Sequence, residues 1–230
     1  MRIAQVAPLY ESVPPKYYGG TERIVSYLTE ELIRQGHDVT LFASGDSVTR
    51  ARLIAACVWR ISPEKRGDRA IEIAKRVNMP LKIAAKMDWV DKDYFDGVVQ
   101  PLLRDSRVEF VGEIGDGEKE EYLGNAYAVL FPIDWPDPFG LVMIETMACG
   151  TPVIVYESGS VPEVREQGRT GFIVKELDDV VQAVQRVSEL SRKRCREVFD
   201  QRFTASPIAS DYVRFYERII WRKSKSTLAA

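Results

Sequence analysis

The feature that most constrains this chain is a succession of short apolar runs: Ile3–Ala7, Val39–Ala43, Leu81–Ala85, Val108–Val111, Ala128–Phe131, Val153–Val155 and Gly171–Val174. Runs this short and this continuously apolar are what strands look like when both faces of their sheet are covered. Between them lie segments whose apolar residues recur at helical spacing. Strand and helix in alternation imply an α/β chain with a doubly wound parallel sheet and helices on both faces. Such sheets bind ligands in the loops at the carboxyl ends of their strands, so chemistry is sought there.

The opening is a β-α-β unit. Ile3–Ala7 leads into a loop holding three prolines and the pair Gly19-Gly20, and Thr21 is placed to cap a helix carrying Ile24, Tyr27, Leu28, Leu32 and Ile33. Gly36 ends that helix as a C-terminal glycine does, and Val39–Ala43 follows as a strand. Further along, Leu53–Trp59 reads as a strand. Helices are expected over Asp68–Arg76, Tyr94–Leu103, Glu118–Leu123, Leu141–Cys149, Asp178–Ser188, Ser191–Asp200 and Ile208–Trp221.

Composition excludes several classes. Of 230 residues, 45% are hydrophobic and 29% charged, with a net charge of −2, which argues against long disorder and against a nucleic-acid partner. No apolar stretch approaches the ~18 residues of a membrane span, and the first apolar run is too short for a secretory leader. Three scattered cysteines, Cys57, Cys149 and Cys195, have neither metal nor redox spacing and fit a reducing cytoplasm.

Three loops could carry chemistry. In Trp59-Arg60-Ile61-Ser62-Pro63-Glu64-Lys65, two cations stand between a strand and a helix, which suits an anionic ligand such as a diphosphate. The same loop could equally be solvated, with surface ion pairs through Glu64. In Asp134-Trp135-Pro136-Asp137-Pro138-Phe139-Gly140, a proline-bracketed loop runs into the helix beginning at Leu141, whose first amides have no internal acceptor and form a cup for an anion or hydroxyl. Asp137 stands before that cup. Glu145 sits among apolar neighbours, where a carboxylate needs a hydrogen-bonding partner such as a ribose diol. Alternatively, Asp137 merely caps the helix and Glu145 faces water or pairs with a basic side chain. The third loop, Gly19-Gly20-Thr21-Glu22, lets backbone approach a phosphate or sugar, or is simply a turn; it is no dinucleotide fingerprint.

Other residues read as structural. His37, the sole histidine, falls at the amino end of a strand, and Cys149 reads as a buried small hydrophobe. From Arg192 to Lys225, ten basic residues face four acidic ones, either a solvated helix face or a weak peripheral contact with an anionic membrane.

Taken together, these segments resemble glycosyltransferase family 4, retaining enzymes of the two-Rossmann-domain GT-B fold. The resemblance is carried by Gly19-Gly20-Thr21-Glu22 through Gly36-His37-Asp38-Val39-Thr40, by Arg60 to Lys65 as its diphosphate loop, and by Asp137 to Glu145 as its E-x7-E motif. It continues in Gly150-Thr151-Pro152-Val153-Ile154, Val161-Pro162-Glu163-Val164 and Thr170-Gly171-Phe172. It implies a donor that is a UDP-, GDP- or ADP-sugar, no metal and no further cofactor. Catalysis would rest on Asp137, Arg60 and Lys65. Donor binding would add Gly19, Gly20, Phe139, Gly140, Leu141, Val142 and Glu145, the last holding the ribose.

The family pattern has Glu at the position of Asp137 and glycine at those of Trp59 and Arg66. The resemblance also implies a shortened amino-terminal domain over residues 1–57, a nucleotide-sugar-binding Rossmann-like domain over 58–205, and a crossover helix with tail over 206–230. The stripe Ile208, Tyr212, Phe215, Tyr216, Ile219 and Ile220 on that helix is expected to pack on the β-α-β unit or on a second copy in a homo-oligomer. The function implied is sugar transfer with retention to an unknown acceptor in the cytoplasm. A non-catalytic nucleotide-sugar-binding module is the alternative, and a hydrolase using Asp137 and Glu145 as its acid pair is a third reading.

Overall fold

A computed structural model describes residues 1–7, 13–15, 20–43, 52–54, 63–86 and 89–227. By their contacts, Met1–Trp59 together with Asp200–Ala230 make one compact unit and Arg60–Phe199 another. The segment from Asp200 onward thus groups with the first residues of the chain.

In the first unit, β1 (Arg2–Val6), α1 (Gly20–Arg34), β2 (Asp38–Phe42) and β3 (Arg52–Ile54) form a parallel sheet in the order β1-β2-β3, with Arg2 opposite Asp38 and Thr40 opposite Arg52. Val25, Leu28 and Leu32 of α1 are buried. The helix closes at Gly36, whose φ of 85° lets the Gly36 and His37 amides donate back to the Ile33 and Leu32 carbonyls. Because α1 already begins at Gly20, Thr21 lies inside its first turn and is not the cap that the sequence suggested.

A long final helix, Ala205–Thr227, lies along α1. Its Ile208, Ala209, Val213 and Tyr216 pack with Ile3, Leu28, Leu32, Ile33 and Val39. The expected apolar stripe is therefore only partly covered: Tyr212, Phe215, Ile219 and Ile220 remain exposed, as does Trp221. Part of the reason is geometric. Ile219 and Ile220 lie beyond Tyr216, where at ~1.5 Å per residue the 23-residue helix outruns the 15 residues of α1 by about two turns. Tyr212 and Phe215, by contrast, fall between the residues that pack and are not among them.

The second unit alternates strand and helix throughout. After a 3-10 turn at Pro63–Lys65 come α2 (Gly67–Val77) and β4 (Leu81–Ala84). Lys92–Tyr94, the π-helical Phe95–Val99 and Gln100–Leu102 then run on as one helix, α3. The wide turn has a cause in the sequence: Pro101 has no N–H to donate back to Gly97, and the π turn absorbs the interruption. There follow β5 (Val108–Gly112), α4 (Asp116–Gly124), β6 (Val129–Phe131), α5 (Leu141–Ala148), β7 (Val153–Tyr156), α6 (Val161–Val164), β8 (Gly171–Val174), α7 (Leu177–Arg186) and α8 (Arg192–Arg202), the last running into the other unit; the long final helix is α9.

Among the described residues every strand pairing is parallel, as the alternation implies. The pairing falls into two ladders, β4-β5 and β6-β7-β8, with Val129, Val153 and Gly171 in register across the second. Ile73, Ile154, Phe172, Val174, Val180, Ala183 and Val187 form the core between that ladder and the helices α2 and α7. The α/β class with a parallel, Rossmann-like second unit is the fold observed.

Candidate functional site

The site lies where the loop after β6 meets the turn before α2. Lys65 ends the 3-10 turn, and the next residue, Arg66, adopts left-handed backbone (φ 53°, ψ 53°) as the N-cap of α2. This conformation suits glycine, and a side chain there carries roughly 1 kcal/mol of strain. Arg66 is held in it by its guanidinium, which donates to both carboxylate oxygens of Asp68 at 2.9 to 3.2 Å and to Asp134 at 3.0 Å. Tyr94 donates to the same Asp68 at 2.8 Å, and burial together with this bond pushes the Tyr94 hydroxyl up to about 12.

Asp137 joins the two anion-binding elements that the sequence set apart. Its Oδ2 accepts from Lys65 Nζ at 2.8 Å, and its Oδ1 accepts from the amides of Gly140 at 2.7 Å and Phe139 at 3.2 Å. Burial alone would raise the Asp137 carboxyl. The Lys65 hydrogen bond, the Gly140 amide, the Lys65 charge and the Phe139 amide together outweigh burial and hold it below the usual carboxylate range. A depressed pKa does not suit the proton-donating member of a glycosidase pair, so in a hydrolase Asp137 would be the second, ionised carboxylate.

Glycine shapes the loop at two positions. Gly140 caps α5 with φ 67°, and a Cβ there would lie 2.3 Å from the Met143 methyl, itself fully buried. Gly159 (φ 50°) lets the turn after β7 lie flat against the site loop, since a Cβ would come within 2.5 Å of the Asp137 carbonyl oxygen. From that turn, Ser160 N donates to the Asp137 carbonyl at 3.0 Å and Ser158 Oγ to the Trp135 carbonyl at 2.8 Å.

Glu145 lies on α5 four residues after Leu141, about 6 Å farther along the axis and on the same face. Its Oε1 accepts from Lys119 Nζ of α4 at 3.0 Å, and both side chains are one-quarter exposed. Of the alternatives left open by the sequence, Glu145 does pair with a basic side chain, whereas Asp137 accepts from the two amides just ahead of α5 and no side chain caps the helix itself.

Of the other expected residues, Phe139, Gly140, Leu141 and Val142 stand together at the start of α5, and by helix geometry the Leu141 and Val142 amides have no intrahelical acceptor. Gly20 is the first residue of α1 in the other unit. Arg60 and Gly19 lie outside the described residues. Cys149 is the C-cap of α5 and only half-buried, not fully buried as expected. Sequence reasoning missed Lys119, Arg66, Arg69 and Asp134 as site neighbours. Lys119 gave no signal, whereas Arg66 and Asp134 flank residues that the motifs did single out. Among the described residues, no group of three or more His, Cys, Asp or Glu side chains is gathered for a metal ion, and no helix is long and apolar enough to cross a membrane.

The family model described as "Glycosyl transferases group 1" matches residues 47–201, which include Lys65, Asp137 and Glu145. The chain belongs to the glycosyl transferases group 1 family. Among curated relatives of this group 1 chain, N-acetyl-alpha-D-glucosaminyl L-malate synthase of Bacillus anthracis is 33% identical over 132 residues, covering 54% of this chain and 34% of its own length. The chain spans about a third of the length of the first such relatives it matches. Among solved structures, AviGT4, a glycosyltransferase involved in avilamycin A biosynthesis, superposes with a TM-score of 0.75 at 20% identity, covering 95% of this chain and 98% of its own. The Anabaena protein HepE, solved in complex with UDP-glucose, gives a TM-score of 0.51 at 20% identity over 87% of this chain and 53% of its own. At such identities these likenesses show the fold, and it is that of GT-B glycosyltransferases.

Proposed function

We propose that the Arg60–Phe199 unit binds the diphosphate of a nucleoside-diphosphate sugar, and that the chain transfers the sugar with retention to an acceptor, as family 4 enzymes do. The observation that carries this reading is the convergence of Lys65 Nζ and the Phe139 and Gly140 amides on one carboxylate, that of Asp137. Three donors around one anionic group form a preorganised electrostatic cradle, worth most where charge develops on a leaving diphosphate. In this reading a phosphate oxygen shares or takes over Lys65, with Arg60 as the second cation. The Leu141 and Val142 amides extend the cradle. Asp137, so released, turns toward the hydroxyls of the sugar. Glu145, anchored by Lys119 through one oxygen, accepts from the ribose. The setting is the cytoplasm, in keeping with three scattered thiols.

Calorimetry of the full chain with UDP, GDP and ADP tests the donor site. At least one should bind, and Lys65→Ala and Glu145→Ala should each weaken it by about tenfold or more, the cost of a lost charged hydrogen bond. No binding of any nucleotide, or unchanged affinity in both variants, removes the assignment. Sugar transfer from the matching nucleotide sugar then separates a transferase from a module that only binds.

A further inference from the structure

Asp134 occupies a place in the site that neither the motifs nor the family match assign. Its backbone N–H donates to the Glu64 carbonyl at 2.9 Å, and its Oδ2 accepts from Arg66 Nη1 at 3.0 Å. Glu64 and Arg66 are the residues immediately before and after Lys65. Asp134 is itself three residues ahead of Asp137. Both chain neighbours of the lysine are thus tied to a single residue of the loop that carries the carboxylate facing it.

That residue is fixed in turn. Arg69 Nη2 donates to the same Oδ2 at 3.1 Å, while its Nη1 donates to the Pro132 carbonyl at 3.2 Å and its guanidinium stacks 4.5 Å over the Tyr156 ring. Ordinary surface pairs contribute little because two flexible chains must be ordered to make them. Here Arg69 is ordered by its stacking and its carbonyl bond, and Arg66 by its fork on Asp68, so that cost is already met before Asp134 is engaged. Asp134 is 59% exposed, and burial gives no reason for a carboxylate there.

We propose that Asp134 is a positioning residue, which through Glu64 and Arg66 sets Lys65 against Asp137. Its value for donor binding rests on the function proposed above; its effect on the pair does not. The test therefore uses two readouts on the full chain: the titration of the Asp137 carboxyl followed by carbon-13 NMR, with no nucleotide present, and the affinity for UDP, GDP and ADP. In Asp134→Ala the Asp137 titration should move up toward the usual carboxylate range and nucleotide affinity should fall about tenfold, as expected when a charged donor is displaced. Asp134→Glu should restore both. Arg66→Gly cuts the same link from the other side while suiting the left-handed backbone, so it gives the answer should Asp134→Ala fail to fold. A wild-type Asp137 titration in Asp134→Ala, or in Arg66→Gly, overturns the proposal. A shifted titration in a protein that binds none of the three nucleotides upholds the positioning role and sinks the donor site instead.

Discussion

Lys65 and Asp137, 72 positions apart in the chain, meet at 2.8 Å, and the aspartate reaches the lysine with one oxygen while accepting from the Phe139 and Gly140 amides with the other. If a phosphate takes over Lys65, Asp137 competes with it. Asp137→Asn should therefore bind UDP, GDP or ADP at least as tightly as the parent, yet lose sugar transfer. Calorimetry and a transfer assay on the same preparation check both halves. A variant that loses nucleotide affinity shows that Asp137 does not compete for the cation.

The same carboxylate should be visible in the acid stability of the protein. Its folded pKa lies below its unfolded one, so its contribution is fully present above the usual carboxylate range and is lost as pH falls through the depressed value. Thermal melts from neutral pH down through about pH 4 and below should show a shallower decline for Asp137→Asn than for the parent. Parallel declines would mean that the pair adds nothing to folding.

Arg165 is 4% exposed, and none of its three guanidinium nitrogens has a hydrogen-bond partner among the described residues. Burial lowers its pKa to about 10, more than the Cys195 and Glu166 charges raise it. A base with a depressed folded pKa destabilises the protein at neutral pH, and the effect fades only as pH rises from the folded value toward the unfolded one. Arg165→Met, which keeps most of the volume, should gain about 1 to 4 kcal/mol, by the precedent of replacing buried charges with apolar chains. Differential scanning calorimetry would register this as a rise in Tm, and a fall would show that the guanidinium is satisfied after all.

Gly159 and Gly168 both have positive φ, 50° and 69°, but their surroundings differ. A Cβ at Gly168 meets nothing within 4 Å, whereas at Gly159 it would strike the backbone of Pro136 and Asp137. Gly168→Ala should cost only the backbone strain, about 1 kcal/mol, and leave nucleotide binding untouched. Gly159→Ala should cost more and weaken binding as well, because the loop holding Asp137 has to move. Equal urea midpoints and equal affinities for the two variants would contradict this.

The parallel architecture was legible because its signal is dense: seven short apolar runs, each placed within a residue or two of an observed strand. That Lys65, Asp137, Gly140 and Glu145 fall on loops and a helix start was legible from their spacing, whereas the roles expected of them came from the family resemblance. What the sequence could not show were pairings between distant segments. Nothing near Lys119 announces Glu145, and nothing near Arg66 announces Asp134, since both contacts are made by the fold and not by neighbours in the chain. Thr21 was misread because a capping preference is weak, and α1 begins one residue earlier, at Gly20. The apolar stripe on α9 was read from its spacing along the helix, which carries no information about how much of it is covered.

The packing of α9 on α1 has a consequence for how the protein is made. Residues near the amino terminus complete their core with Ala209, which the ribosome delivers about 170 residues after α1. Arg60–Phe199 can settle while synthesis continues. The sheet of the first unit, by contrast, must wait with its Leu28 and Leu32 core unfinished until α9 emerges, and during that interval its apolar surface is open to misassembly.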